Sequence, residues 1–201
     1  MRRTNKVREV FILCTALVSL SACSSDDGRT MSPPRADQTD SVQTATTVGD
    51  VVAEDTGTMT VTGPWTSGSA IDSRYTCDGE ALSPPLAWSG APEDTQAFAI
   101  VIDNMDDPAN LNWVVTNIDF ATTKTTEGAA PVGATVARNP RGEAAYMPPC
   151  PSSGSTQTYV VTVFALDSLT PLEDNPDAAT MKADIESAAI EAATTVFTVS
   201  R

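Results

Sequence analysis

Three aspartates crowd one short stretch, Asp103, Asp106 and Asp107. Two carboxylates flanking one bond are the pair that glycoside hydrolysis needs. The same acids could gather a calcium ion, although the stretch lacks the D-x-D-x-D-G spacing, and an acidic loop is more often simply solvated. Cys77 and Cys150 are the other reactive side chains, but a thiol nucleophile needs a base and the chain has no histidine. That lack excludes a Ser-His-Asp triad, a Cys-His pair and any His-based zinc or copper site. Acid–base chemistry near neutral pH would need a strongly shifted carboxylate, lysine or thiol. The expectation is therefore a protein that is not an enzyme, with no metal site and no cofactor.

Charge narrows the partners. The 201 residues carry 12 Lys+Arg against 26 Asp+Glu, a formal charge of −14. Phosphate backbones are bound by clustered Lys and Arg, so nucleic acid is not an expected partner.

Residues 1–22 read as an export signal. Arg2, Arg3, Lys6 and Arg8 make a basic start, and an apolar run follows from Val10 to Leu20. The run is shorter than the ~20 residues a spanning helix needs. It ends in Leu20-Ser21-Ala22-Cys23, which resembles the bacterial lipobox, where the cysteine is lipidated before cleavage. An ordinary signal peptide or an uncleaved anchor is the alternative. On the lipobox reading Cys23 holds the protein to a membrane of the bacterial cell envelope, two acyl chains being enough for stable anchoring. Cleavage would remove four basic residues and one acid, leaving a net charge of −17 that anionic headgroups repel. Residues 23–56 are rich in Ser, Thr, Asp and Gly, too polar to offset their ordering entropy, and read as a tether.

Residues 57–201 form the expected domain. Of the four cysteines, Cys14 leaves with the signal and Cys23 takes lipid. Cys77 and Cys150 remain, and in an exported protein they most simply pair; two buried free thiols are the alternative. Apolar runs at 97–102 and 159–166 predict central strands covered on both faces, with further strands at 59–61, 113–118 and 194–199. Ser83-Pro84-Pro85 and Met147-Pro148-Pro149-Cys150-Pro151 must be loops. Met181, Ile185, Ala188, Ala189 and Ala192 recur at helical spacing, with Asp177 or Thr180 as the cap. The physical reading is a mainly β domain with a late helix and an edge strand.

A set of segments in order resembles the phosphatidylethanolamine-binding protein (PEBP) family, in its bacterial YbhB/YbcL, Raf-kinase-inhibitor-like, branch. They are Arg74-Tyr75-Thr76-Cys77-Asp78-Gly79, Ser83-Pro84-Pro85-Leu86-Ala87-Trp88, the run into Asn104-Met105-Asp106-Asp107-Pro108, and Asn112-Trp113-Val114-Val115 with Asn117-Ile118. Asn139 to Gly142, Tyr146 to Gly154, Tyr159 to Asp167 and the C-terminal stretch 178–201 complete the set. The resemblance implies an antiparallel β-sandwich with a C-terminal helix, a closing strand and a small cavity at one end. It also places Cys77 and Cys150 in two loops that branch members with both cysteines bring together.

At the family's ligand positions this chain departs. Asn104 stands for the first Asp of DPDAP, Asp106 for the second, and Pro108 closes the motif. Asn112 replaces the His before Trp, Gln157 replaces the His of G-x-x-HR with Thr158 for the Arg, and Pro148 replaces a glycine. Asn and Gln donate and accept hydrogen bonds but carry no charge. The expected pocket of Asn104, Asp106, Pro108, Asn112, Tyr146, Pro148 and Gln157 should therefore disfavour phosphate. It would take a small neutral ligand, with an envelope protein as the other expected partner. Alternatively, Asn104, Asn112 and Gln157 merely satisfy one another. Arg74 and Arg141, in neighbouring motifs, are the guanidiniums that would reverse the charge argument if they reached the cavity.

Overall fold

The computed structural model describes residues 58–171 and 176–201. The signal, Cys23 and the tether lie outside the described residues. Strands β1 (Thr60–Thr62) and β2 (Ala87–Ser89) pair as one antiparallel ribbon. Strands β3 (Ala97–Asn104), β4 (Asp107–Asp119), β5 (Thr135–Val136), β6 (Thr156–Leu166) and β7 (Ala189–Ser200) form the main sheet. Its order is β5-β4-β3-β6-β7, with every neighbour antiparallel.

Alternation along β3 explains the layering. Phe98, Ile100 and Ile102 point to one face, where Met59 beside β1, Val61 of β1, Trp88 of β2 and Val161 and Val163 of β6 close a core. Ala97, Ala99 and Val101 point to the other face, against Met181 and Ile185 of the helix α1 (Ala178–Ala188). Both faces of β3 are thus covered, as its unbroken apolar run requires. Trp88 meets Phe98 edge-on at 5.4 Å, and Tyr159 stacks on Phe197 at 5.2 Å.

Asp177 is the residue that caps α1, accepting from the backbone N–H groups of Ala179 at 3.1 Å and Thr180 at 3.0 Å. Ala189 and Ala192, expected on the helix, belong instead to β7. Ala192 pairs with Phe164 and Ala189 with Leu166, so the chain passes straight from helix to strand. Alanine favours helix by only a few tenths of a kcal/mol. An open edge of β6, with a row of unpaired N–H and C=O groups, outweighs that preference.

Cys77 and Cys150 are joined by a disulfide with Cα atoms 5.3 Å apart. The Cys77 N–H also donates to the Pro149 carbonyl at 3.1 Å, so the two loops are tied twice.

Candidate functional site

Expected pocket residues converge on the end of the sheet where β3 turns into β4. Asn104 pairs with Asp107, which leaves Met105 and Asp106 as the turn. The Asp106 N–H donates to Asn104 Oδ1 at 2.9 Å, and Asp106 Oδ2 accepts from the Thr158 N–H at 2.7 Å. The Met105 N–H donates to the Thr158 carbonyl at 2.9 Å. Asp106 therefore clamps the hairpin tip onto β6. Asn104 Nδ2 donates to Gln157 Oε1 at 3.1 Å, and the Tyr159 hydroxyl donates to the same oxygen at 2.9 Å. Burial first, and the nearby Asp106 carboxylate second, push the Tyr159 phenol up to about 12.

Asn112 does not join that chain. Ile102 pairs with Trp113 and Asp103 with Leu111, so Asn112 is the extra residue of a bulge. Its Nδ2 donates to the Met147 carbonyl at 2.8 Å, and the Met147 N–H donates to the Asn112 carbonyl at 2.8 Å. Because a carbonyl can only accept, this contact fixes which end of the amide is the oxygen. That oxygen, Asn112 Oδ1, is buried and has no donor among the described residues. Residues 108–110 lie between the paired Asp107 and Leu111 and have no partner in the β3 register. Pro108, lacking an N–H, fits such a place. Asn110 Oδ1 is also buried without a donor among the described residues.

A cleft of about 450 Å³ opens beside this bulged segment, lined by Asp107, Asn110, Arg141, Met147 and Cys150 among others. Tyr146 lines another cleft, of about 310 Å³, with Ser83 and Trp113. Its ring meets Trp113 edge-on at 5.9 Å and its hydroxyl donates to the Tyr75 carbonyl at 2.7 Å. Burial raises its ionisation well above the ordinary tyrosine value. Of the seven expected residues, Tyr146 alone lines either of these two clefts. Asn104, Asp106 and Gln157 are used in holding the hairpin, Pro108 sits in the bulged segment, and Pro148 is half-buried between Met147 and Pro149. Asn112 lies beneath the Met147 wall.

The three acids separate. Asp103 is drawn to Lys182 of α1 at 2.8 Å, Asp106 to the Thr158 N–H, and of the three Asp107 lines the 450 Å³ cleft. No group of three His, Cys, Asp or Glu gathers to hold a metal among the described residues. Arg74 is turned to Glu127, 3.4 Å away. Arg141 does line the 450 Å³ cleft, as does Asp107.

The sequence model described as phosphatidylethanolamine-binding protein matches residues 62–200. This chain belongs to that family. Among its PEBP relatives is a UPF0098 protein of Methanothermobacter thermautotrophicus, 39% identical over 110 residues, which are 51% of this chain and 72% of that one. A UPF0098 protein of Chlamydia muridarum is 32% identical over 114 residues, 53% of this chain and 75% of its own length. The crystal structure of Escherichia coli YbcL, described as a new member of the mammalian PEBP family, superposes with a TM-score of 0.67 at 26% identity. It covers 71% of this chain and 98% of YbcL. The PEBP homologue CT736 of Chlamydia trachomatis gives 0.66 at 25% identity, over 72% and 99% of the two chains.

Within this PEBP fold, sequence reasoning missed Asn110 and Met147. Asn110 stands two residues before Asn112, a spacing that in a regular strand would share its face, but the bulge hides the relation. Met147 contributes through its backbone, to which side-chain chemistry gives no clue.

Proposed function

We propose that this PEBP-family chain is an exported lipoprotein, held to the bacterial envelope through Cys23, that binds a small polar ligand of zero net charge. One observation carries the ligand reading. Asn104 Nδ2 already donates to Gln157 and Asn112 Nδ2 to Met147, while Asn110 Oδ1 and Asn112 Oδ1 are buried acceptors lacking donors among the described residues. A buried acceptor without a partner costs about 1–3 kcal/mol, so a molecule that donates hydrogen bonds gains most here. Phosphate brings mostly acceptors at neutral pH, with one or two hydroxyls to donate. Among the described residues that line the cleft, the one cation, Arg141, is accompanied by the opposing charge of Asp107.

Calorimetry on the full chain with inorganic phosphate, phosphoethanolamine, glycine and acetamide tests this reading. The two last probes should bind and the first should not. Phosphate binding tighter than about 1 mM, a free energy beyond roughly −4 kcal/mol, and lost on Arg141→Ala, overturns it. The same holds if no probe binds, which leaves an inert scaffold. The anchoring reading rests on Leu20-Ser21-Ala22-Cys23. Cys23→Ser should release soluble protein from the membrane fraction, and a variant that still pellets with membranes refutes it.

A further inference from the structure

At the opposite end of the sheet three large apolar side chains stand exposed. Ala97, the first residue of β3, pairs with Asp119 and Leu166, whereas Asn104, the last, pairs with Asp107 and Tyr159. The two ends are separated by about 23 Å at ~3.3 Å per strand residue. At the Ala97 end, Phe120, Val132 and Leu169 are 64%, 98% and 66% exposed. All three line one cleft of about 240 Å³, and Leu169 also lines a second of the same size against α1.

Each of these side chains is held out by a fastened loop. Phe120 stands in the turn that the Thr122 N–H closes onto the Asp119 carbonyl at 2.9 Å. Val132 stands in the turn closed by the Ala134 N–H on the Pro131 carbonyl at 3.2 Å. Leu169 precedes Thr170, which Asn117 grips on both sides. The Thr170 N–H donates to Asn117 Oδ1 at 2.9 Å, and Asn117 Nδ2 donates to the Thr170 carbonyl at 3.1 Å. Asn117 adopts φ +56° to do so, a conformation that favours asparagine and glycine. Loop tips are normally polar, and three large apolar side chains on two turns and a fastened loop around one cleft mark an interaction site.

The charge on this end selects the occupant. Asp119 lines the first cleft and Asp184 the second, and among the described residues no Lys or Arg lines either. A second copy of the chain would bring the same acids face to face, and an anionic bilayer would be repelled likewise. We infer that this end of the sheet is a docking surface for a polypeptide segment that presents apolar side chains flanked by Lys or Arg. The surface is independent of the ligand site at the hairpin end.

The test is fluorescence polarisation of labelled nonapeptides on the full chain at low salt. One peptide alternates Leu and Lys, one alternates Leu and Glu, and one alternates Ser and Lys. The Leu/Lys peptide should bind at least tenfold more tightly than either control, and added salt should weaken it. Phe120→Ser with Leu169→Ser should weaken it tenfold or more, with the melting temperature unchanged because both side chains are exposed. Arg141→Ala, at the other end, should leave it unaltered. Absence of Leu/Lys binding below 1 mM, or binding indifferent to the double substitution, overturns the inference. So does self-association or vesicle binding that the same double substitution abolishes, since the surface would then belong to a second copy or to a membrane.

Discussion

Asn112 and Met147 hold each other at two points, the side-chain amide on one carbonyl and a backbone N–H on the other, both at 2.8 Å. This pair fastens the bulge of β4 to the Pro-rich loop that carries Cys150, so the cleft wall and the sheet move as one body.

Truncating Asn112 tests that fastening. Asn112→Ala leaves the Met147 carbonyl without its side-chain donor, but it also deletes an orphan acceptor. The two effects oppose, so the loss should fall near the low end of the usual range, about 1 kcal/mol. Urea denaturation of both proteins measures it, and a loss above about 3 kcal/mol would mean that Oδ1 has a partner in solution.

Removing the disulfide should cost more. The bridge spans 73 residues of sequence, for which the chain-entropy model gives about 4 kcal/mol. The Cys77 N–H to Pro149 contact survives in the Cys77→Ser, Cys150→Ser double variant and keeps the loops near each other. A stability loss of about 2–4 kcal/mol is expected from denaturation curves, and a loss under about 1 kcal/mol would show that the loops are held by their other bonds alone.

All three tyrosines of the chain, Tyr75, Tyr146 and Tyr159, are held above the ordinary phenol value, in each case chiefly by burial. An unfolded tyrosine loses its proton near pH 10, whereas the folded Tyr159 keeps its proton to about 12. Between those values the unfolded chain binds fewer protons than the folded one, so stability falls as pH rises. Below about pH 10 these groups make no difference to stability. Tyrosinate absorbance should therefore stay low past pH 10 and then rise steeply with loss of fold. A smooth single-site titration centred at 10 would contradict this.

The cap of α1 works in the opposite direction. Hydrogen bonds from the Thr180 N–H and hydroxyl, then from Ala179, hold the Asp177 carboxyl below its ordinary value. Its contribution is complete above the ordinary carboxylate range and disappears as pH falls through the depressed value. Asp177→Ala should lower the melting temperature at pH 7 and narrow its gap to the native protein in acid. A gap that stays constant from pH 7 to pH 2 would remove Asp177 from the account.

Much of this architecture can be read from residue order. The apolar runs at 97–102 and 159–166 both read as strands, and both are; β3 is covered on both faces, whereas β6 alternates buried with half-buried residues over 159–164. The ordered motifs from Arg74 to Asp167 were sufficient for the family, since local patterns and their spacing carry that information along the chain. Cys77 and Cys150 left a bridge and two free thiols both open, and the closed fold shows the bridge. What tertiary structure alone decided is how polar side chains divide their hydrogen bonds. Asn104 and Asn112 look alike in sequence, yet a one-residue bulge sends Asn112 to Met147 and leaves Asn104 to Gln157. Ala189 and Ala192 carried a helical period until the β6 edge offered them backbone partners. Phe120, Val132 and Leu169 lie far apart in sequence and share a cleft only because two turns and a loop meet at the same end of the sheet. Each outcome depends on which partner lies within about 3 Å of a polar group, or which side chains meet across a turn. The chain acquires such distances only once it has closed on itself.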